Sequence, residues 1–433
     1  MKIIIPEFRS VAIALCALAA LPVAYGYETK TIDGVEMSIE LQYCEPQAVR
    51  EAFRSNPQFR TDFLVADGKL YFGVLNGGTF EQVCQLAEVV RTDGGWTSRD
   101  IDIDWGVLPK PEMTDHLLSS FPGNDSYGNP YVAFPSYTMK GQNIPMTIYA
   151  LQFDTEGIHA TARYEFECGA NWCTRSPSVF GDVRSGNFSV SVIAWTHDYA
   201  GPNSQYPTPL VQWNVADGNP TGRTVDDYYY SYTASVQDLG EGYVLLDERG
   251  DDRVRASYDY INPTVVNPST GYANELDVWG CRLADSGSRI FTAGGKSMII
   301  YPYDVYYGET AYVISFLPEY PHTISKADTA WELTDGYTPS SGMNSSDKLF
   351  DNSKISVIPN GDSSNDIYIL TRGNGLSHYK VGTNGGGSTG IIGASVGDAA
   401  PEYFTIDGRP AAGSAPGIYI VRRGSEVRKV VVR

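Results

Sequence analysis

The chain has 433 residues, of which 51 are Asp or Glu and 32 are Lys or Arg, so its formal net charge is −19. Hydrophobic residues make up 42% and aromatic residues 12%, which is enough to build a sizeable core and excludes wholesale disorder. So acidic a chain repels phosphate backbones, and nucleic acid is therefore not expected as a partner. The 30 Tyr and 44 Gly favour strands and turns over long helices.

Residues 1–26 have the three parts of a secretory signal peptide. Two basic residues precede the apolar run Val11–Leu21, and Ala24 and Gly26 supply the small residues of a cleavage site. The run is too short for a membrane-spanning helix, which needs roughly 20 apolar residues. We therefore expect cleavage, export, and no transmembrane segment in the mature chain.

From Phe59 onward the sequence repeats one pattern: a turn rich in Gly, Asp or Asn, an apolar strand, a polar gap and a second strand. Six units recur, and their first strands are 54 to 68 residues apart. The predicted first strands are Lys69–Phe72, Tyr131–Phe134, Ser189–Ile193, Tyr243–Leu246, Met298–Tyr301 and Ile367–Leu370. The predicted second strands are Met146–Phe153, Leu210–Val215, Val254–Tyr260, Ala311–Leu317 and Leu376–Val381.

Such regular repetition predicts an all-β propeller of about six blades over residues 27–383. The alternatives are a pair of β-sandwiches, which would need a linker near the middle, and a β-solenoid, which would have a shorter period. We further expect the N-terminal strand Glu36–Tyr43 to complete the last blade and close the ring. Only Pro46–Arg54 is predicted to be helical.

The C-terminal part of the chain has a different composition. Residues 384–390 are predicted to be a flexible Gly-rich linker, and residues 391–433 a small β-sandwich-like module. In that module, Tyr403–Ile406 leads into a turn, and Gly417–Val421 is the next strand. Its motifs are Asp407-Gly408-Arg409, Gly417-Ile418-Tyr419-Ile420 and the closing Lys429-Val430-Val431-Val432-Arg433.

The order of these motifs resembles the C-terminal sorting domain of type IX secretion cargo in Bacteroidetes. The resemblance covers about the last 35 to 40 residues. It departs from the commoner pattern in the final Arg433 and in the Ala-rich spacer Pro410–Pro416. It implies that type IX machinery carries the protein across the outer membrane, with release or attachment at the cell surface. The alternative is an ordinary three-stranded terminal module that packs on the body.

Cysteine chemistry offers one specific expectation. Cys168 and Cys173 flank a predicted hairpin turn, which suits a local disulfide in an exported protein, and two free buried thiols are the alternative. Zinc is not expected, because no second close Cys or His pair completes the four ligands of such a site. Gly294–Ser297 resembles half of a phosphate-binding loop, but Ile290 stands where the leading Gly should be.

Asp100, Asp102 and Asp104 alternate along one predicted strand, which places three carboxylates on one face. Like charges at this spacing repel unless solvent or a cation compensates them. The alternatives are a solvated edge strand, a Ca²⁺ site and a set of catalytic acids. Ca²⁺ is the one cofactor that the sequence suggests.

Two segments rich in Tyr and acidic residues, Asp226–Tyr232 and Tyr301–Tyr307, are predicted to be exposed loops. Their rings offer stacking faces, while hydroxyls and carboxylates offer hydrogen bonds, the mixture that a glycan or peptide surface uses. The candidate ligand-binding residues are Tyr228, Tyr229, Tyr230, Tyr303, Tyr306 and Tyr307. Core packing is the alternative, since Tyr is a favoured strand residue.

We therefore expect a secreted or cell-surface propeller that binds a glycan, a peptide or a surface partner and has no catalytic role. The alternative is a secreted glycoside hydrolase or lyase that uses carboxylates in the central pocket, since a carboxylate pair suits glycoside hydrolysis. Acids that converge with a His or Arg on the axis would favour the enzyme. Exposed rings without such acids would favour binding.

Overall fold

Nearly all of the regular structure in the computed structural model is β-strand. The residues that it describes are 27–45, 59–74, 85–92, 95–112, 120–139, 142–168, 172–174, 176–196, 209–226, 236–246, 263–276, 288–305, 309–318, 324–333, 353–360, 363–371, 375–383, 402–405, 410–411, 417–423 and 426–432. Within them, the one helical element is a 3₁₀ turn at Lys326–Asp328, and no helix is long and apolar enough to cross a membrane. The chain divides into two units, residues 1–383 and 384–433.

The first unit begins with β1 (Tyr27–Ile32) and β2 (Val35–Glu45) and continues with six meanders, which we call blades 1 to 6. Blade 1 contains β3 (Phe59–Ala66), β4 (Lys69–Val74), β5 (Gln85–Thr92) and β6 (Gly95–Asp104). Blade 2 contains β7 (Phe121–Asn124), β8 (Pro130–Phe134), the inserted hairpin β9 (Tyr137–Met139) and β10 (Gln142–Ile144), β11 (Met146–Phe153) and β12 (Ile158–Phe166). Blade 3 contains the interrupted first strand β13 (Trp172–Thr174) and β14 (Ser178–Asp182), then β15 (Asn187–Thr196), β16 (Leu210–Ala216) and β17 (Asn219–Asp226).

The remaining blades follow the same order. Blade 4 contains β18 (Val236–Gly240), β19 (Tyr243–Leu246), β20 (Thr264–Asn267) and β21 (Tyr272–Glu275). Blade 5 contains β22 (Arg289–Ala293), β23 (Lys296–Val305), β24 (Glu309–Phe316) and β25 (Thr329–Leu333). Blade 6 contains β26 (Ser353–Pro359), β27 (Ser364–Thr371) and β28 (Gly375–Thr383), to which β2 and then β1 are added.

The six-fold repeat that the sequence predicts is confirmed. All six predicted first strands are the second strand of their blade, and four of the predicted second strands are the third strand. The remaining predicted second strand, Val254–Tyr260, lies outside the described residues, and so does the predicted helix Pro46–Arg54. The predicted units therefore begin one strand into each blade, because polar residues interrupt the apolar runs of the first strands, as Gln237 and Asp238 do in β18.

The last blade is closed by the start of the chain, as the sequence predicts. β2 pairs antiparallel with β28, with Ile39 opposite Val381, and β1 pairs with the far side of β2. Blade 6 therefore obtains its fourth strand from residues that precede blade 1. A propeller closed in this way leaves no broad sheet edge open between its first and last blades.

A hydrophobic cluster fills each of the six spaces between neighbouring blades, so the blades form a complete ring. Blade 4 shows how one strand serves two spaces. Val244 and Leu246 belong to the cluster with blade 3, while Leu245 belongs to the cluster with blade 5. Because successive side chains of a strand point to opposite faces, a strand covered on both faces has a continuous apolar run. The sequence shows such a run at Val244-Leu245-Leu246.

The first strands of the blades lie innermost, and they run in the same direction. Near the ends of β3 and β7, the Asn124 side chain bonds both backbone groups of Val65. Near the beginnings of β18 and β22, the Gln237 side chain bonds both backbone groups of Ile290. The first strands of neighbouring blades therefore begin at the same end of the ring and finish at the opposite end. We call the end of the ring axis where the first strands begin the loop end, and the opposite end, where they run into hairpin turns, the turn end.

Several hairpins turn through two residues in the left-handed conformation. Asp33, Asp67 and Asp217 have φ of 46°, 50° and 49°, and the Gly after each has φ of 71–78°. Two successive positive φ angles define the type I′ turn, whose twist matches that of paired strands. Gly294-Gly295 forms such a turn between β22 and β23. The partial match to a phosphate-binding loop is therefore a hairpin.

The outer strands of blades 1 and 2 are joined by a short parallel pairing, in which His159 of β12 lies opposite Asp104 of β6. His159 Nδ1 lies 3.2 Å from Asp104 Oδ2, and its Nε2 lies 3.2 Å from Asp154 Oδ1. Desolvation opposes the charged imidazole, but the two carboxylates outweigh it and raise the pKa of His159. The two carboxylates therefore favour the charged form of His159, which links the two blades.

The second unit has four described strands, β29 (Glu402–Thr405), β30 (Pro410–Ala411), β31 (Gly417–Arg423) and β32 (Glu426–Val432). They form one antiparallel sheet in the order β30-β29-β31-β32. β29 and β30 flank the predicted Asp407-Gly408 turn and pair with each other. The second layer of a sandwich is not among these described strands.

We expect Ile39→Ala to lower the free energy of unfolding by about 2–4 kcal/mol, because Ile39 is 5% exposed and packs in the cluster between blades 5 and 6. Urea unfolding followed by Trp fluorescence measures the loss. The control is Glu40→Ala on the same strand, which is exposed and should change stability by no more than about 0.5 kcal/mol. Equal effects of the two substitutions would contradict closure of the ring by β2.

We expect His159→Gln to destabilise the protein in a pH-dependent way. A raised pKa in the folded state stabilises fully below the ordinary His value of about 6.5 and loses its effect as the pH rises through the raised value. Unfolding free energies at about pH 5, 7 and 9 should therefore show the largest difference from the wild type at pH 5 and almost none at pH 9. Asp104→Asn should give the same profile, and a difference that stays constant with pH would contradict the charged link.

Candidate functional site

The connections at the two ends of the axis differ in length. At the turn end, the turns that follow the first strands contain two to five residues. The turns there that join third to fourth strands in blades 1 to 5 contain two or four residues, except for the 12 residues between β24 and β25. At the loop end, the segments that lead into first strands or join second to third strands range from three to 19 residues. Long connections on a rigid scaffold are where binding groups concentrate. The loop end is therefore the candidate functional end.

An ion pair joins the first strands of blades 1 and 6 at this end. Lys354 of β26 pairs with Asp62 of β3, and the Ser176 hydroxyl donates to Asp62 at 3.1 Å. Ser176 lies between β13 and β14 of blade 3, so Asp62 contacts a blade that is not its neighbour in the ring. Such a contact places these groups close to the axis. The side chains of Asp62 and Lys354 are 14% and 19% exposed, so solvent reaches both.

A buried Tyr joins the neighbouring blades 2 and 3 close to this ion pair. The Tyr131 hydroxyl of blade 2 donates to Pro177 O at 3.1 Å. Burial raises the pKa of Tyr131, the Asp62 carboxylate raises it further, and the Arg289 guanidinium opposes them. Arg289 belongs to blade 5, three positions around the ring from blade 2. Its effect on Tyr131 therefore acts across the axis.

We call Asp62, Ser176 and Lys354 the axial cluster. It combines a carboxylate, a hydroxyl and an ammonium group, all partly buried. A few polar groups of both hydrogen-bonding types, held in a narrow space of reduced dielectric, can orient a ligand with several hydroxyl or carboxyl groups. Glycoside hydrolysis normally uses two carboxylates, and Asp62 is the carboxylate that the described residues contribute to this cluster.

A separate buried network joins blades 3 and 4. Asp238 is 3% exposed and accepts hydrogen bonds from the hydroxyls of Ser189 and Ser191 at 2.9 and 2.7 Å and from Gln212 Nε2 at 3.3 Å. Burial raises the pKa of Asp238 in spite of these bonds. Both carboxyl oxygens are used within the protein, so this network braces the interface between the two blades.

A second His–Asp pair lies within blade 6. His378 Nε2 is 2.8 Å from Asp366 Oδ1, and the His378 ring stacks on Tyr368 with centroids 4.2 Å apart. Burial alone would raise the pKa of Asp366, but His378 outweighs it and the pKa is lowered. The pair bridges two strands of one sheet and is not part of the axial cluster.

The three predicted metal ligands lie on β6. Asp100, Asp102 and Asp104 are all exposed on one face of the strand, as predicted from their spacing. Gln85 Nε2 donates to Asp102 at 2.7 Å, and His159 bonds Asp104. Within the described part of the chain, no group of three or more His, Cys, Asp or Glu side chains is arranged to hold a metal ion. The Ca²⁺ site stays a prediction.

The predicted ligand-binding tyrosines are largely beyond what the structure describes. Tyr228, Tyr229, Tyr230, Tyr306 and Tyr307 lie outside the described residues. Tyr303 lies in β23 opposite Ala311, and so this part of the predicted loop is a strand. The strand continues through Pro302 because β23 pairs only with β24 beyond Ile300, and Pro is tolerated where one side of a strand has no partner.

The predicted Cys168–Cys173 disulfide is not formed in this structure, in which both thiols are free. The predicted hairpin between them is wrong, because β12 and β13 do not pair: β13 pairs with β9 and β15. Burial raises the pKa of both thiols to about 11. Each therefore behaves as a small buried apolar group.

Some residues of the predicted sorting motif lie in described strands, and others lie outside the described residues. Gly417, Ile418 and Tyr419 begin β31, and Lys429 lies in β32, where it pairs with Ile420. Asp407, Gly408 and Arg409 lie outside the described residues.

The axial cluster was not found from the sequence. Its residues are isolated polar positions with no motif around them. Lys354 is the second residue of β26, Asp62 is the fourth residue of β3, and Ser176 lies between β13 and β14, so no shared position in the repeat marks them.

Comparison with known proteins gives only distant similarities. No protein-family model matches the chain, and no curated protein matches it. A subtype N10 neuraminidase-like protein of A/little yellow-shouldered bat/Guatemala/060/2010 is 11% identical over 75% of this chain and 95% of that chain, with a TM-score of 0.35. The Aleuria aurantia lectin is 12% identical over 77% and 98%, with a TM-score of 0.33. Levansucrase from Bacillus subtilis is 11% identical over 62% and 85%, with a TM-score of 0.33. The ring of six blades is assigned here from its strand pairing and interblade clusters.

Proposed function

We propose that the protein is an exported propeller that binds a glycan at the loop end of its axis without transforming it. The observation that carries the proposal is the axial cluster, in which Asp62, Lys354 and Ser176 from three blades meet at the end that bears the long connections. Sugar hydroxyls both donate and accept hydrogen bonds, so a carboxylate beside an ammonium group and a hydroxyl provides partners for both roles.

The predicted binding tyrosines are compatible with this location. The segment with Tyr228, Tyr229 and Tyr230 joins β17 to β18, and the segment with Tyr306 and Tyr307 joins β23 to β24. Both segments connect strands at the loop end. In the proposal their rings add stacking faces to the polar groups of the axial cluster. Ca²⁺ at Asp100, Asp102 and Asp104 remains a separate proposal.

Export is proposed from the two ends of the chain. Residues 1–26 have the composition of a signal peptide, and residues 384–433 form a separate unit with the motif order of a type IX sorting domain. The protein is therefore proposed to reach the cell surface or the medium, with the type IX machinery as the partner of its second unit.

Glycan binding is tested by screening the full chain on a glycan array, with and without EDTA. We expect Asp62→Asn to weaken binding of the glycan found by about 10- to 100-fold, because a charge-assisted hydrogen bond contributes about 1.5–3 kcal/mol. The matched control is Asp33→Asn, which removes another interblade Asp–Lys pair, that with Lys296 at the turn end. Equal losses in both variants, or release of shorter sugars by the wild type, would contradict the proposal. Loss of binding in EDTA would favour the Ca²⁺ site.

Export is tested by fusing residues 391–433 to a periplasmic reporter in a host that has type IX machinery. We expect the reporter to reach the cell surface or the medium, because the sorting motifs lie within these residues. Protease accessibility on intact cells measures surface location. The same fusion without residues 429–433 serves as the control, and retention of both fusions in the periplasm would rule out this route.

A further inference from the structure

Exposed aromatic rings are concentrated at the turn end of blades 2, 3 and 4. Of the large hydrophobic side chains that the structure describes, four are exposed, and one of them is Val107 on the segment after β6. The other three are Tyr127, Phe180 and Tyr243, with exposed fractions of 70%, 38% and 37%. Exposed apolar groups gathered in one area of a surface mark an interaction site more often than scattered ones do.

Contacts made by these residues or their close neighbours in sequence join the three blades. The Ser126 hydroxyl, beside Tyr127, accepts a hydrogen bond of 2.8 Å from the N–H of Gly181, which follows Phe180. The Phe180 ring of blade 3 lies against Gly240 of blade 4, where an added Cβ would be only 2.4 Å from the ring. Only glycine therefore allows Phe180 to cover this position.

Two further rings lie within blade 4. Tyr243 follows Gly240 by three residues and contacts Tyr272 of β21, with ring centroids 5.8 Å apart in an edge-on arrangement. We call Tyr127, Phe180, Tyr243 and Tyr272 the aromatic arc. It belongs to the end of the axis opposite to the axial cluster, so it is independent of the proposed glycan site.

Carboxylates border the arc. Glu241 is exposed and follows the glycine on which Phe180 lies, and its described hydrogen bond uses the backbone oxygen, not the carboxylate. Asp182 lies two residues from Phe180, and both described hydrogen bonds to its carboxylate use Oδ1. Asp217 occupies the neighbouring turn of blade 3, and Arg184 is the one basic residue in the described turns of blades 3 and 4. The arc is therefore an aromatic surface with a negative border.

We propose that the aromatic arc binds a basic peptide segment of a partner protein. Exposed Phe and Tyr faces attract Lys and Arg cations, and neighbouring carboxylates pair with the same charges. The chain's net charge of −19 also attracts a cationic partner from a distance. Charge complementarity thus favours a basic peptide over a neutral glycan, for which the carboxylate border would bring no such gain.

The test uses the full chain and a fluorescein-labelled peptide of four Gly-Arg repeats, with a peptide of four Gly-Gln repeats as the neutral comparison. Fluorescence anisotropy should show binding of the Arg peptide that weakens as NaCl rises from about 20 to 300 mM, because exposed charge pairs are screened. We expect Phe180→Ala and Glu241→Gln each to weaken it by about two- to fivefold. Tyr127→Ala should give a similar loss and replaces Phe180→Ala if that variant is less stable.

Two control substitutions separate the arc from general attraction to an acidic protein. Val107→Ala removes an exposed apolar side chain that is not part of the arc, and Glu332→Gln removes an exposed carboxylate from blade 5. Both should leave peptide binding unchanged, as should Asp62→Asn, which affects only the proposed glycan site. Equal effects of Glu332→Gln and Glu241→Gln, or equally tight binding of the Gln peptide, would overturn the proposal. So would binding of neutral cellohexaose that is lost in Phe180→Ala and kept in Glu241→Gln.

Discussion

Burial of both faces of every blade is the constraint on which the rest of this structure depends. A four-stranded meander with continuous apolar runs has two apolar faces, and a single neighbour covers only one of them. Val244, Leu245 and Leu246 illustrate the consequence, because adjacent residues of β19 belong to clusters on opposite sides of blade 4. A ring covers both faces of all six blades, whereas an open stack would expose an apolar face at each end.

The ring also explains why its polar features are separated. Apolar side chains fill the interblade spaces. A charged group in such a space must be hydrogen-bonded within the protein, as Asp238 is, and the other charged groups must lie at the axis or on the outside. Because the first strands are parallel, one end of the axis receives most of the long connections and the axial cluster, while the other receives mainly short turns. Short turns hold the aromatic arc, and the two ends therefore present chemically different surfaces.

The amino-acid sequence alone was enough to predict the propeller, but it did not reveal the axial cluster. Apolar runs such as Lys69–Phe72 revealed the repeat because strands buried on both faces carry a strong local signal. Contacts between blades carry no local signal: Asp62 meets Lys354 and Ser176 only because the ring brings distant segments to one axis. The Cys168–Cys173 hairpin was wrong for the same reason, since β13 pairs with strands that come before and after it and not with the adjacent β12. His159 and Asp104 meet through a parallel pairing that no spacing in the sequence indicates.

The closure of blade 6 by β2 sets the order in which this protein can be completed. Ile39 lies in the second described strand of the first unit, but its partner Val381 is among the last residues of that unit. Bringing such distant segments together is entropically costly and slow, so closure belongs late in folding. Until then β28 presents an unpaired edge, which is a site for mispairing with other chains. A chain made from its N-terminus therefore holds β2 long before β28 exists, and the finished ring forms only once the whole unit is present.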